Sequence, residues 1–487
     1  MDFHALEDLV SPAVNVISLR AYHRDFVSCF VQSDGVLPHT AVERNRSVLY
    51  KDEDAGVLIV SWHDPVWGTS PRSDCSAQVR CARASDGNSY ALLPIVPVRV
   101  GYVTTYDSTD VGNWSGLGYF VRRALERAGC VMHPLGPLVR PRLLTVEAKR
   151  VLHRYGRRGT YLPERDPRTG CAYAAQVQEM IKAAKVDLLL SPGTIPIAYL
   201  DTPLPIVFWT DATFAAMRDF YPGFLNLSKT TILAGERMDQ LAVDRAELAL
   251  YASEWAAASA RDHYGADPTK VKVVPFGANI RDGPASDSVA NFVEERPRDR
   301  CHLVFIGIDW ERKGGDVAVE VARELNRRGL PTTLSVIGCS PPLAPDVRRF
   351  VHILGFLDKG TIAGARQIEA ELERAHFLIL PSKAECYGLV LCEANAFGVP
   401  CVTTNVGGIP TIVRDGVNGA IVDPDAPPAT FADVILQRLS LPSSYRELAL
   451  SSHAEYRSRL NWVVSGKHVA RLLQELVSHR QRVASGR

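Results

Sequence analysis

Twice along this chain, short apolar runs rich in β-branched residues alternate with stretches of helical periodicity. That pattern restricts the fold more than any other feature. From Val98 the runs are 98–104 (VRVGYVT), 186–190 (VDLLL), 205–209 (PIVFW), 249–252 and 271–275, with helical stretches at about 116–129, 172–184 and 229–248. A polar, Pro-containing stretch, Arg281–Arg300, intervenes, and the alternation restarts. The second series is 302–308 (HLVFIGI), 332–337, 350–354, 376–380 (HFLIL) and 400–404, between helices at about 315–329, 361–374, 388–397 and 430–440. Strands that are apolar throughout belong to parallel sheets covered by helices on both faces. The expected fold is therefore α/β: two facing, doubly wound Rossmann-like domains, 98–285 and 300–460. A C-terminal helix within 461–487, apolar at Val464, Val469, Leu472, Leu473, Leu476 and Val477, is expected to pack on one domain or cross back between both. Residues 1–97 read poorly, with short alternating pieces such as Val57–Ser61 among polar stretches. They are assigned to an N-terminal extension, partly disordered or holding an accessory strand pair.

Composition excludes several classes. With 55 Lys plus Arg against 54 Asp plus Glu, the net charge of +1 argues against a nucleic-acid binder, which needs a positive excess. At 46% apolar residues the chain is no disordered acidic tail. The ten cysteines are scattered without a C-x-x-C pair, and Cys392 and Cys401 sit in apolar runs, so reduced thiols in a cytoplasmic protein are expected. The most apolar long window, 186–209, is broken by Asp187, Asp201 and prolines, which excludes a membrane-spanning helix. The acidic start (Asp2, Glu7, Asp8) gives no secretory signal, so sequons at Asn45, Asn113 and Asn226 are chance matches.

The strongest chemical feature is Pro381–Glu393, PSKAECYGLVLCE. It follows an apolar strand, so Ser382–Tyr387 form a loop at a strand's carboxyl end, and Gly388 opens a short helix that Gly398 and Pro400 close. The N–H groups of Gly388, Leu389 and Val390 at that helix start suit a phosphate. Glu393 is costly on a mostly apolar helix unless partnered, the plain alternative being a solvent-facing or Arg-paired side chain. With Glu385 on the loop over the same helix start, two carboxylates bracket an anion site, a pattern that suits a nucleotide sugar. The second feature is Ile306–Gly315, IGIDWERKGG, where Arg312, Lys313 and two glycines at a helix start suit a diphosphate. Its alternative is a plain strand–turn–helix link. It matches neither a dinucleotide fingerprint nor an ATP phosphate loop.

Together these segments resemble the donor domain of family 4 retaining glycosyltransferases of the GT-B fold, the glycosyl transferases group 1. Asn113–Gly118 (NWSGLG) is similar to the family's glycine loop. Leu204–Phe214 (LPIVFWTDATF) places Asp211 where many relatives carry a histidine, and Ala249–Ala258 and Val274–Asn279 resemble segments that close the first domain. The resemblance runs from about Val98 to the C-terminus. It implies that Glu393 binds the nucleotide ribose, Glu385 the transferred sugar, and Lys313 with the Gly388, Leu389 and Val390 helix start the diphosphate. It further implies that Gly116 lets the diphosphate approach the first domain, and that Leu357, in Leu354–Lys359 (LGFLDK), lies in the loop receiving the base. Where many relatives have an arginine after the glycine at 307, this chain has Ile308, and Arg312 is the candidate substitute.

On this reading the catalytic residues are Glu385, Asp211 and Lys313. Asp211 orients the acceptor or stabilises positive charge at the sugar; alternatively it caps the following helix. No cofactor is expected beyond the nucleotide-sugar co-substrate, and no metal, because Asp423-Pro-Asp425 reads as a turn. The expected partners are that donor and an unidentified hydroxyl acceptor. The basic run 140–168 reads first as a solvated face and second as a peripheral contact with an anionic membrane or lipid-linked phosphate. The expected activity is retaining transfer of a sugar from a nucleotide diphosphate to a hydroxyl. A nucleotide-sugar epimerase and a non-catalytic nucleotide-sugar binder are the alternatives.

Overall fold

The computed structural model describes residues 97–156 and 159–486, together with five upstream strands. Those strands are Ile17–Tyr22 (β1), Phe26–Val31 (β2), Arg46–Asp52 (β3), Gly56–Trp62 (β4) and Gln78–Ala82 (β5). β1 pairs with β2, and β4 with both β3 and β5, all antiparallel. Val57–Ser61 thus lies in β4, while Arg157 and Arg158 of the basic run fall outside the described residues. The chain divides into two compact units, Met1–Val96 and Pro97–Arg487.

The second unit contains two parallel six-stranded sheets. The first is built from Arg99–Val103 (β6), Val131–Leu135 (β7), Leu188–Ser191 (β8), Ile206–Thr210 (β9), Leu248–Tyr251 (β10) and Val271–Val273 (β11). Its order is β11-β10-β9-β8-β6-β7. The second uses Cys301–Ile306 (β12), Thr332–Ile337 (β13), Val351–Gly355 (β14), Phe377–Leu380 (β15), Cys401–Thr404 (β16) and Gly419–Val422 (β17), in the order β14-β13-β12-β15-β16-β17. β8, β9, β15 and β16 are buried along their whole length, as strands covered on both faces must be. Each sheet reverses its strand order once, at β6/β8 and at β12/β15. Ligands of open α/β sheets bind beyond the carboxyl ends of the strands at such points.

Sequence periodicity missed β7 because His133 and Pro134 interrupt it, and it lies at a sheet edge where proline is tolerated. The stretch Arg281–Arg300 is more than a break between domains, because it contains the helix Ser286–Glu295. Val289 and Val293 of that helix are buried. Arg296 beyond it donates to the carbonyls of Gly398 and Phe397 at 2.6 and 2.9 Å, at the C-terminal end of the helix Leu389–Ala396. A cation there complements the helix dipole. The helix expected from 172 starts at Pro167, capped by Asp166, whose side chain accepts from the Arg168 N–H.

The last helix, Trp462–Ala484, leaves the second domain and lies on the first. Gly466 packs so closely on the helix Leu117–Arg127 that a Cβ there would sit 2.6 Å from the Ala124 carbonyl oxygen. Arg480 pairs with Glu247 at 3.2 Å. Among the described residues no helix is long and apolar enough to cross a membrane.

Candidate functional site

In the second sheet the strand reversal puts the loops after β12 and β15 side by side. Gly314 makes this possible: its φ is +73°, and a Cβ there would meet the Pro381 carbonyl oxygen at 2.1 Å. The Lys383 N–H donates to the Arg312 carbonyl at 2.8 Å, locking the loops together. Arg312 and Lys313 are thereby aimed at Glu385. Lys313 Nζ lies 2.6 Å and Arg312 Nη1 3.3 Å from Glu385 Oε2. Arg312 also donates to the Ala384 carbonyl at 2.8 Å and to Asp309 at 3.2 Å, and its guanidinium lies 4.7 Å from the centre of the Tyr221 ring. Burial alone would raise the Glu385 carboxyl, but the charges of Lys313 and Arg312 hold it below the ordinary carboxylate range. Ile308 is 71% exposed.

After Glu385 the chain turns through Gly388, at φ +96°, into the helix Leu389–Ala396. Gly388, Leu389 and Val390 at its start line the cleft, while the Leu391 N–H donates back to the Gly388 carbonyl at 2.9 Å. On the next turn Glu393 is only 1% exposed, and Lys359 Nζ lies 2.5 Å from each of its carboxylate oxygens. Leu357 lines the same cleft two residues before Lys359.

The first domain supplies the facing wall. After β6 the chain enters Asn113–Gly116, where two non-glycine residues, Trp114 (φ +44°) and Ser115 (φ +55°), take left-handed conformations. The carbonyl of Ser115 accepts from Asn279 Nδ2 at 2.7 Å, and Asn279 Oδ1 in turn accepts from the Trp462 indole N–H at 2.9 Å. Gly116 is buried and supplies the turn into the next helix, while Trp114, Ser115 and Leu117 form the cleft surface.

Asp211 follows β9 and does not cap the next helix. Thr213 does, its side chain accepting from the Ala216 N–H. The carboxyl of Asp211 is pushed up to about 6 by burial and by the charge of Glu385, against a hydrogen bond from its own backbone N–H. Beneath it, buried Asp239 accepts from Arg165 Nη1 at 2.7 Å, Thr194 Oγ1 at 2.6 Å and the Phe214 N–H at 2.6 Å. That carboxylate ties together three loops of the first domain.

Glu385, Asp211, Arg312, Lys313, Glu393 and the Gly388–Val390 helix start all line one cleft of about 970 Å³ between the two domains. Sequence reasoning did not single out Trp114, Tyr221, Asp239 or Asn279. Of these, Trp114 lay in the marked segment Asn113–Gly118 and Asn279 at the end of Val274–Asn279, but neither was given a role. Among the described residues no group of three or more His, Cys, Asp or Glu is arranged to hold a metal ion. Asp423 accepts from the Asp425 N–H at 2.9 Å in a turn.

The family Glycosyl transferases group 1 matches residues 300–440. The D-inositol 3-phosphate glycosyltransferase of Acidothermus cellulolyticus is 31% identical over 238 residues, 46% of this chain and 52% of that protein. Its namesake from Salinispora tropica is 33% identical over 243 residues, 46% of this chain and 50% of that protein. The chain thus spans about half the length of these curated relatives. Among solved structures, sucrose-phosphate synthase from Thermosynechococcus elongatus superposes with a TM-score of 0.59 at 17% identity, over 79% of this chain and 100% of that one. Anabaena Alr3699/HepE in complex with UDP gives 0.53 at 15% identity, over 78% of this chain and 100% of that one. The two-domain fold is the one these structures share.

Proposed function

We propose, from the match of residues 300–440 to the glycosyl transferases group 1, that the chain is a retaining glycosyltransferase. It moves a sugar from a nucleoside diphosphate to the hydroxyl of an acceptor. The observation that carries this reading is the pairing of Glu385 with Lys313 at the start of the helix Leu389–Ala396, across the cleft from Asp211.

As the bond to the anomeric carbon breaks, negative charge grows on the diphosphate and positive charge on the sugar ring. Lys313 and the N–H groups of Leu389 and Val390 are placed for the first, fixed before the reaction begins, and such preorganised donors are usually the largest catalytic contribution. Glu385 holds the transferred sugar, Glu393 takes the ribose hydroxyls, and Asp211 faces the acceptor hydroxyl. Arg312, held by Asp309, Ala384 and Tyr221, steadies Glu385 and adds to the positive field. An epimerase reading is weaker, because among the described residues lining the cleft there is no histidine to shift a proton at the ring.

The test is to incubate the chain with UDP-, GDP- and TDP-sugars and measure free nucleoside diphosphate with and without acceptor extract. Acceptor-dependent release supports the transferase. Nucleotide binding without release from any donor would leave only a binding protein.

The acceptor wall further supports peripheral contact with an anionic lipid surface. In the basic run, Arg140 and Arg150 pair with Glu147 and Lys149 with Asp166, so paired charge is part of its explanation. The helix Leu144–Tyr155 nevertheless turns one apolar stripe outward, with Leu144 87% and Tyr155 77% exposed and Val151 and Leu152 between them. An exposed apolar stripe on a positively charged segment fits a membrane carrying acidic lipids. Sedimentation with phosphatidylglycerol vesicles, lost on Leu152→Glu and absent with neutral phosphatidylcholine vesicles, is the expected result.

A further inference from the structure

We infer that Lys359 is a positioning residue for the ribose end of the donor site, acting through Glu393. This rests on the proposed assignment of Glu393 to the ribose. The Glu393 carboxylate is 1% exposed, and Lys359 touches both of its oxygens at 2.5 Å. A buried carboxylate is expensive without a counter-charge, and no other ion pair reaches Glu393 among the described residues.

The pair is also suited to a diol. An ionised carboxylate has about four lone-pair sites and an ammonium three donors. Two contacts join them, so about two carboxylate sites stay open for two neighbouring hydroxyls. Lys359 sits where two spaces meet. It lines both the main cleft and a crevice of about 370 Å³ that continues past Glu393 between the domains. From there a lysine, 36% exposed on its side chain, fixes the orientation of the carboxylate without closing the cleft.

Other charged groups line the same crevice, and His453 and Arg459 stand on the helix Pro442–Arg459 that packs against the helix of Glu393. Arg123 and Arg127 stand on the helix Leu117–Arg127, Arg281 and Asp282 on the linker, and Glu369 on the helix Ile362–Arg374, all lining the crevice. Cys392 adjoins Glu393 on its own helix, its thiol pushed up to about 12, chiefly by burial and in part by the Glu393 charge. Only Lys359 is within ion-pair distance, so its removal is the change Glu393 senses most.

The test measures binding of UDP and GDP, and of their 2′,3′-dideoxy analogues, to the full chain by calorimetry. Replacing Lys359 with methionine should weaken the ribonucleotide that binds by about tenfold or more, the scale of a charge-assisted contact. The dideoxy analogue should lose little, and Lys359→Arg should restore ribonucleotide binding. Equal losses for ribo- and dideoxynucleotides, or no loss in a folded K359M, each overturn the inference. If Glu393→Gln also leaves every nucleotide unaffected, it is the ribose assignment that fails. Thermal unfolding of K359M and K359R separates misfolding from loss of the contact.

Discussion

Asn279 holds the carbonyl of Ser115 at 2.7 Å across 164 residues of sequence. It thereby fixes a loop in which Trp114 and Ser115 are both left-handed. Such conformations cost about 1–3 kcal/mol each and persist only where the surroundings impose them. The imposing contact comes from the linker between the domains, which joins the loop that forms the cleft wall to the hinge.

Replacing Asn279 with alanine should therefore let the loop relax. We expect a loss of about 1–3 kcal/mol in urea unfolding, and a rise in donor KM larger than the fall in kcat. Ser115→Gly relieves part of the strain at its source. It should stabilise the otherwise native chain by about 1 kcal/mol and recover part of the N279A defect. Steady-state kinetics on the single and double variants decide this.

Lys313 is expected to act at the transition state. Lys313→Ala should lower kcat by about 10²–10³, as does removal of one preorganised charge-stabilising donor, with a smaller effect on nucleotide affinity. Glu385→Gln should depress turnover while nucleoside diphosphate binding, measured by calorimetry, stays within a few-fold. Equal and negligible effects of both changes would falsify the proposed roles.

The raised carboxyl of Asp211 gives a pH signature. Its folded value of about 6 lies above the ordinary 3.8, so the folded chain binds this proton more readily than the unfolded one. This group's contribution therefore favours folding at pH below 3.8 and is progressively lost as pH rises through about 6. Asp211→Asn should stabilise the protein by roughly 1–3 kcal/mol at pH 8 and by little at pH 4. If the ionised form assists transfer, activity falls on the acid side of pH 6 and D211N flattens that limb. A wild-type rate independent of pH between 5 and 7 would argue against a role for the charge.

Asp239 is a structural hub of the first domain. Asp239→Ala leaves buried Arg165 uncompensated and should cost about 3–5 kcal/mol. The double variant with Arg165→Met should be less destabilised than D239A alone, because it removes the orphaned charge. Denaturant titrations of the two variants test this directly.

The sequence carried much of the donor half. Short apolar runs mark buried parallel strands, and Glu385 and Glu393 lie on one loop and helix whose geometry follows from Gly388. Residues whose roles depend on distant partners were not legible. Asn279 reads as an ordinary polar residue until Ser115 and Trp462 are brought to it, and Asp239 as one more acid on a helix surface. The helix Ser286–Glu295 was hidden because only Val289 and Val293 are fully buried on it, too few to produce a clear period within a polar stretch. Asp211 was open to two readings because Thr213, two residues on, is an equally good cap.

The return of the last helix has a mechanical consequence. The chain passes between the domains twice, once on the way out and once through Leu460–Trp462, and the two passes touch: the Ala278 N–H donates to the Leu460 carbonyl at 3.0 Å. Gly277 lies so close to Trp462 that a Cβ there would sit 2.2 Å from its backbone nitrogen. A single tether is a swivel, but two tethers bound side by side act as a door hinge, permitting swing and resisting twist. Any change in the gap between the walls would then keep Asp211 and Glu385 in register.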